Sequence, residues 1–265
     1  KDLSKYVDND KINLANAGLD PDVLINNTTY PIPVKQRNDT ALSIELDLFE
    51  TENTLVRRPE AIEYAYDKLE SVVMGHRNSL RAKTGAKAAH AFAPEQNSAN
   101  TPVIETTGDD NGDGFKMLLP EDIFRLKRRF DELDYPTDKR YLVLDYRHVE
   151  DLLRFDLKAF KDIIDLTNGT PKRFSGFNIL QYTKNPTYNA AGVKKAWGAA
   201  AAGTDKFSSF AFYSEEVMKS VGSMHMYSQI DNPEQRATTV GFDMRFIAMP
   251  IRNKGIGSIL SGKTS

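Results

Sequence analysis

"SIELDLFETENTLVRRPEAIEYAYDKLESVVMGH", residues 43–76, joins the two clearest local patterns in the chain. In its first part the residues alternate. Leu42, Ile44, Leu46 and Leu48 fall on one side while Ser43, Glu45 and Asp47 fall on the other, the period of a half-buried strand. With "VKQRND" before it and "TLVRR" after it, the segment reads as an extended β-hairpin over residues 31–58, entered through Pro31 and Pro33, whose rings hold the backbone extended. In its second part the period changes to that of a helix. Pro59 stands at a first-turn position, Glu60 and Glu63 lie near the positive end, and Ile62, Tyr66, Leu69, Val73 and Leu80 recur at helical spacing. The spacing predicts an amphipathic rod of about 25 residues, nearly 40 Å at a rise of about 1.5 Å per residue. A lone alternating hairpin feeding a rod of that length leaves apolar faces that need partners.

Ahead of this stretch, residues 1–30 are rich in Asn and Asp, with short apolar patches such as Leu19–Ile25, and read as an arm that drapes over a neighbour. Behind it, the small and polar residues 85–114 read as a connection that leaves the body of the fold. A second region follows. "LPEDIFRLKRRFDEL" carries Ile123, Leu126, Phe130 and Leu133 on one helical face; "KRYLVLD" reads as a strand, and "HVEDLLRFD" and "LKAFKDIIDL" as helices. "GFNILQYT" reads as a strand, "AAGVKKAWGAAAAGT" as a loose insertion, and "FSSFAFYSEEVMKSVG" as a strand coupled to a helix. The close, "RATTVGFDMRFIAMPIRNKGIGSIL", reads as two strands with a turn near "RNKG", and no internal repeat is visible.

Composition narrows the function. The 265 residues are 40% hydrophobic, enough for a real core, and 35 Lys plus Arg against 37 Asp plus Glu give a net charge of −2, which disfavours a surface shaped as a whole for nucleic acid. Zero cysteines exclude a disulfide scaffold, a thiolate metal site and a thiol nucleophile. No apolar run of about 18 residues and no signal core occur, so no membrane partner is expected, and the first residue, Lys rather than Met, suggests a trimmed N-terminus.

Chemistry-bearing motifs are sparse. His76, His90, His148 and His225 lie far apart and form no metal-ligand pair. Asp145 and His148 are close enough in sequence for a carboxylate to orient a general base, although Asp145 between a strand and a helix is also placed to cap that helix. In "DDNGDG", Asp109, Asn111, Asp113 and Gly114 match the first half of a calcium loop. The twelfth position is Pro120, not the bidentate Glu, so a polar turn with Gly112 and Gly114 at positive φ is expected. "RLKRR" interrupts an amphipathic stripe flanked by acids and reads as a solvated face or a set of salt bridges. No catalytic residue, cofactor or metal site is expected.

Taken in order, the hairpin and helix of residues 43–76, "DKRYLVLDYRHVEDLLR", "FSSFAFYSEEVMKSVG" and the final strand pair resemble the Hong Kong 97-type major capsid protein of tailed bacteriophages, from about Tyr30 onward. The resemblance implies an α+β fold with an N-terminal arm (1–30), an extended β-hairpin or E-loop (31–58), a spine helix and peripheral domain (59–117), a mixed α/β axial domain (118–225) and C-terminal strands returning to the body (226–265). It implies a structural protein rather than an enzyme, one that self-assembles into hexamers and pentamers of an icosahedral shell around double-stranded DNA held non-specifically. It further implies scaffolding and portal proteins as partners, a place in the virion capsid, and assembly in the host cytoplasm. Leu42, Ile44, Leu46 and Leu48 are then the candidate intersubunit contacts. The family's scaffolding extension is missing ahead of residue 1, which implies removal on maturation or a separate scaffolding protein; no residues identify the family's covalent cross-link. Two other readings stay open: an α/β enzyme using Asp145 and His148, and a calcium-dependent surface protein centred on Asp109, Asn111 and Asp113.

Overall fold

The computed structural model describes residues 1–8, 11–16, 40–57, 68–155, 173–200 and 202–264. Among these, β1 (Val7–Asp8), β2 (Lys11–Asn16) and β3 (Thr40–Glu45) form one small antiparallel sheet; β4 (Asp47–Glu50) and β5 (Thr54–Arg57) follow. Helix α1 spans Lys68–Phe92, and β6 is Val103–Glu105. Next come α2 (Pro120–Glu132), β7 (Arg140–Leu144), α3 (Tyr146–Phe155), β8 (Arg173–Phe174), β9 (Phe177–Gln181) and β10 (Ser208–Tyr213). Two long strands, β11 (Val217–Asn232) and β12 (Ala237–Pro250), and then β13 (Ile256–Leu260) close the chain.

A mixed six-stranded sheet in the order β6-β13-β10-β7-β9-β8 is covered on both faces, which is why residues 141–144 of β7 form a continuous apolar run. On one face Leu142 and Leu144 of β7, Phe177 and Ile179 of β9 and Ile259 of β13 meet Ile123, Leu126 and Phe130 of α2 and Val149 and Leu152 of α3. On the other face Val143 and Phe210 meet Ala89 and Ala93 at the end of α1. The same helix, further back, lays Val73 and Leu80 on Val240, Phe242, Met244 and Phe246 of β12. Helix α1 therefore braces two sheets at once, the second having the order β11-β12-β4 with β5 also paired to β12.

Several expectations change. The helix does not stop before residue 85 but runs to Phe92, because "AKAAHAF" lacks a bulky apolar stripe yet is built largely from the best helix former. Its expected start, with Pro59, Glu60, Ile62, Glu63 and Tyr66, lies outside the described residues, as does "LKAFKDIIDL". Residues 93–114 do not leave the body: β6 pairs in parallel with β13 through Ser258↔Val103, and Thr101 is buried. "EEVMKSVG" is not a helix. Glu216 closes a turn by donating its backbone N–H to Tyr213 O, and Val217, Met218 and Ser220 then join a ladder with Pro250, Met249 and Ile247 that outweighs the short helical period. The two C-terminal strands do not pair with each other, since β12 runs beside β11 and β13 beside β10.

Gly257 permits the close approach of α2 to β13. A Cβ there would stand 2.9 Å from Phe130 Cε2 and 3.1 Å from Leu126 Cδ1. Gly257→Ala is expected to destabilise the chain by overpacking, about 1–3 kcal/mol, and Leu126→Ala by cavity formation, about 2–5 kcal/mol. Chemical denaturation midpoints check both, and a Gly257→Ala protein as stable as the parent would contradict the packing described.

Candidate assembly surfaces

The hairpin is built from an unexpected pair. β3 takes as its partner β2 from the N-terminal segment, with Ile12↔Ile44 and Leu14↔Leu42 in register. "TLVR" pairs with β12 instead, and "VKQRND" lies outside the described residues. Lys11 closes the base on Glu45 at 2.7 Å. The segment before it also stays within its own subunit: Leu3 N donates to Lys219 O at 2.9 Å and Val221 N to Ser4 Oγ at 3.0 Å. Residues 1–16 thus do not form a free arm where they are described, and the Leu19–Ile25 patch lies outside the described residues.

The alternation of Leu42, Ile44, Leu46 and Leu48 does not continue on one face. The chain leaves β2 after Glu45 and joins β12 from Asp47, with Leu48↔Arg245 and Phe49↔Met244 in register. The change of partner shifts the phase by one residue. Leu46 is 3% exposed within its own subunit, its Cδ2 beside Gly222, whereas Leu48 is 46% exposed and Phe49 turns inward onto Phe246, ring centroids 6.1 Å apart. Ile44 is half-buried, and the Leu42 side chain lies outside the description. As an intersubunit contact, Leu46 is corrected: its apolar surface is already covered. Leu48 remains open.

The "loose insertion" is a clamp on the C-terminus of α1. Lys194 Nζ donates to His90 O at 3.0 Å and to Ala93 O at 2.6 Å, and His90 Nε2 lies 2.8 Å from Lys195 O. The ammonium group satisfies carbonyls that the helix end leaves without partners and sits at its negative pole. Burial lowers the Lys194 pKa, with Glu95 opposing. A cleft of about 460 Å³ beside it is lined by His90, Pro94, Glu95, Lys194, Pro250 and Asn253. A Lys–Lys dipeptide in an Ala-rich run gave no sequence signal of this role.

The alternative sites do not assemble into reaction centres. Asp145 caps α3, its Oδ1 accepting from Arg147 N at 3.1 Å, and burial raises its pKa. His148 does not meet that carboxylate but places Nδ1 2.6 Å from Ser209 Oγ, which also accepts from Asp145 N at 2.9 Å. Ser209 is the partner that sequence reasoning missed, brought in from β10 by the β10–β7 pairing. Ser209 and His148 are both buried, so the pair is closed to a substrate. In "DDNGDG", Asp110 Oδ1 accepts from Gly112 N and Gly114 N, and Asn111 Oδ1 from Asp113 N, with Gly112 and Gly114 at positive φ. Asp110 rather than Asp109 organises this turn, and among the described residues no three His, Asp or Glu side chains gather at metal-binding range. "RLKRR" is a solvated face with ion pairs within its own helix, Arg125 to Asp122, Lys127 to Asp131 and Arg129 to Glu132.

Burial, with a smaller contribution from Arg147, pulls His148 from 6.5 down to about 4. Below 6.5 the unfolded chain takes up a proton that the folded chain refuses until about 4, so this residue's share of stability is complete above 6.5 and is lost as the pH falls through that window. Asp145 and Asp151, both raised by burial, act in the opposite sense above the ordinary Asp range. The test is therefore a difference: between about pH 7 and pH 4.5 the parent should lose about 2 kcal/mol more than His148→Gln in urea titrations. Parallel profiles would remove His148 as the source.

No protein-family model matches the chain, and no curated protein matches it in sequence. Its structure, by contrast, is similar to solved phage capsids. It covers 100% of this chain and 87% of the capsid chain of Ralstonia phage GP4, with a TM-score of 0.71 at 8% identity. For the capsid of the cyanophage P-SCSP1u the figures are 97% and 85%, with a TM-score of 0.67 at 13% identity. For the mature capsid of bacteriophage PhiM1 they are 97% and 84%, with a TM-score of 0.61 at 10% identity. Similarity of backbone over nearly the whole chain, at such low identity, means that the chain has the mixed helix-and-sheet fold of phage capsid proteins.

Proposed function

We propose that this chain is a structural major capsid protein of a bacteriophage, assembling with copies of itself into the hexamers and pentamers of an icosahedral shell around double-stranded DNA. The observation that carries the reading is the whole-chain likeness to capsid subunits, 100% of this chain in the case of Ralstonia phage GP4. The molecule's own surface supports it. Leu48 of β4, Leu55 of β5 and Leu69 and Met74 of α1 are exposed, large apolar side chains that a second subunit could cover. In this reading β2 and β3 supply the E-loop, α1 the spine helix, β11, β12, β4 and β5 the peripheral domain, and the six-stranded sheet with α2 and α3 the axial domain. The role is structural rather than enzymatic, and the place of the protein is the virion capsid. Scaffolding and portal proteins would be its partners during assembly in the host cytoplasm.

Electron microscopy and sedimentation of the purified protein test the proposal, and icosahedral particles or sheets of hexamers are expected. Leu48→Asp should keep the circular dichroism and melting temperature of the parent while losing particles. Leu46→Asp should instead unfold the subunit, because a carboxylate would replace a side chain already buried in its own chain. A parent protein that stays monomeric under all assembly conditions would sink the reading.

A further inference from the structure

Strand β11 lies at the edge of its sheet, with β12 on its inner side. The outer side is covered only at its beginning. There the first residues of the chain pair with it through Lys219 and Val221, and a break in register between Val221 and Met224 then turns the strand. Beyond that point no described residue pairs with the outer edge, although the strand continues to Asn232.

Exposed edges are ordinarily protected by charges, proline or brevity. Three other edges follow that rule: β8 is two residues long and begins with Arg173, β6 ends in Glu105, which binds Lys206, and β4 carries Asp47 and Glu50. The free part of β11 breaks it. "SMHMYSQI", Ser223–Ile230, contains no Asp, Glu, Lys, Arg or Pro in a chain that is 27% charged. Its large side chains are nonetheless in the open, Met224 45%, Met226 56%, Tyr227 59% and Ile230 73% exposed. An uncharged edge excludes few partners, but it has one special property: a second, identical edge meets no like charge on approaching it, which is the electrostatic condition for pairing with itself.

We propose that the outer edge of β11 from Met224 to Gln229, the regular run between its two breaks in register, is a strand-pairing site for the same strand of a second copy of this chain, antiparallel across a twofold axis. The faces of the strand fix the register. Met226↔Phe242 and Met224↔Met244 place these two methionines on the apolar face that α1 covers over β12, and Tyr227, hydrogen-bonded to Asp243, lies on the opposite face. Directly opposed residues of an antiparallel pair share a face. To join apolar face to apolar face, the axis must therefore pass through a residue rather than between two. An axis through Met226, in the middle of the segment, opposes Met226 to itself, Met224 to Ser228, and His225 to Tyr227. Pairing of this kind is isologous and closes at two copies, so it joins neighbours without starting a runaway ribbon. The inference rests on the self-assembly reading above and adds to it one contact and its symmetry.

Since the chain has no cysteine, an engineered thiol is unique. Opposed Cα atoms of an antiparallel pair fall within the span of a disulfide. Met226→Cys, Val193→Cys and Tyr6→Cys, each in the full chain and the last two at exposed positions, are oxidised under mild conditions and examined on non-reducing gels and by electron microscopy. Disulfide-linked dimers are expected from Met226→Cys at about tenfold the yield of the two exposed controls, because only an opposed pair holds the thiols within bonding geometry. Particles that form without a linkage at position 226, or with equal linkage at all three positions, overturn the pairing and leave the capsid reading standing. Linked dimers in a protein that never forms particles uphold the pairing and sink the capsid reading. Absence of both dimers and particles removes both.

Discussion

The packing of α1 against two sheets is the constraint on which the rest depends. One helix must sit on β12 through Leu80 and Val73 and on the six-stranded sheet through Ala89, Ala93 and the partly buried Phe92, whose ring lies 5.3 Å from that of Phe212. Leu80 and Val73 fill the space over Phe242 and Phe246, and Ala89 and Ala93 then let the axis come close to Val143 and Phe210. Interaxial separation is set by side-chain size. The alanine-rich end is thus a condition of the geometry rather than a spacer, and the Lys194 clamp on its last carbonyls holds that end in place.

On the far face of the six-stranded sheet, polar groups do comparable work inside the core. Asp122, buried at the start of α2, accepts from Leu119 N, Thr107 N and Thr107 Oγ1 at 3.1, 3.1 and 2.8 Å and pairs with Arg125. Asp151 of α3 accepts from Leu118 N at 3.1 Å. Both helices are thereby tied to the one loop that leads into α2. Arg140 is buried between the rings of Phe130 and Phe177, paired with Asp131 at 2.7 Å and donating to Pro136 O. Buried ionic groups add little net stability when paired but are costly to leave unpaired.

A rigid body of this kind contrasts with what is attached to it. Among the described residues the pair of β2 and β3 has only β1 beside it in its sheet, and β11 lies at the edge of its own. Two- or three-stranded ribbons have little core of their own. In a shell subunit such parts complete their burial on other copies, which is the physical sense in which the fold and the proposed function agree.

The elements legible in the sequence were those whose own period or chemistry sufficed. Ile123, Leu126 and Phe130 on α2, the strand "RYLVL", the cap at Asp145 and the glycine turn at residues 109–114 each follow from spacing or from a residue's conformational range. What the sequence could not determine was partnership. The strand of residues 40–50 shows a single alternation, yet it divides at Leu46 because its halves pair with β2 and with β12, and nothing local marks the change. "VMKSVG" is a strand because β12 lies beside it, the Ala-rich end of α1 is a packing surface because Phe210 lies beneath it, and His148 meets Ser209 because β10 lies beside β7. Local free energies of a few tenths of a kcal/mol per residue decide the first kind of feature. Contacts between residues distant in sequence decide the second, since burial rewards whatever surface the fold brings near, and only the tertiary structure states which surface that is.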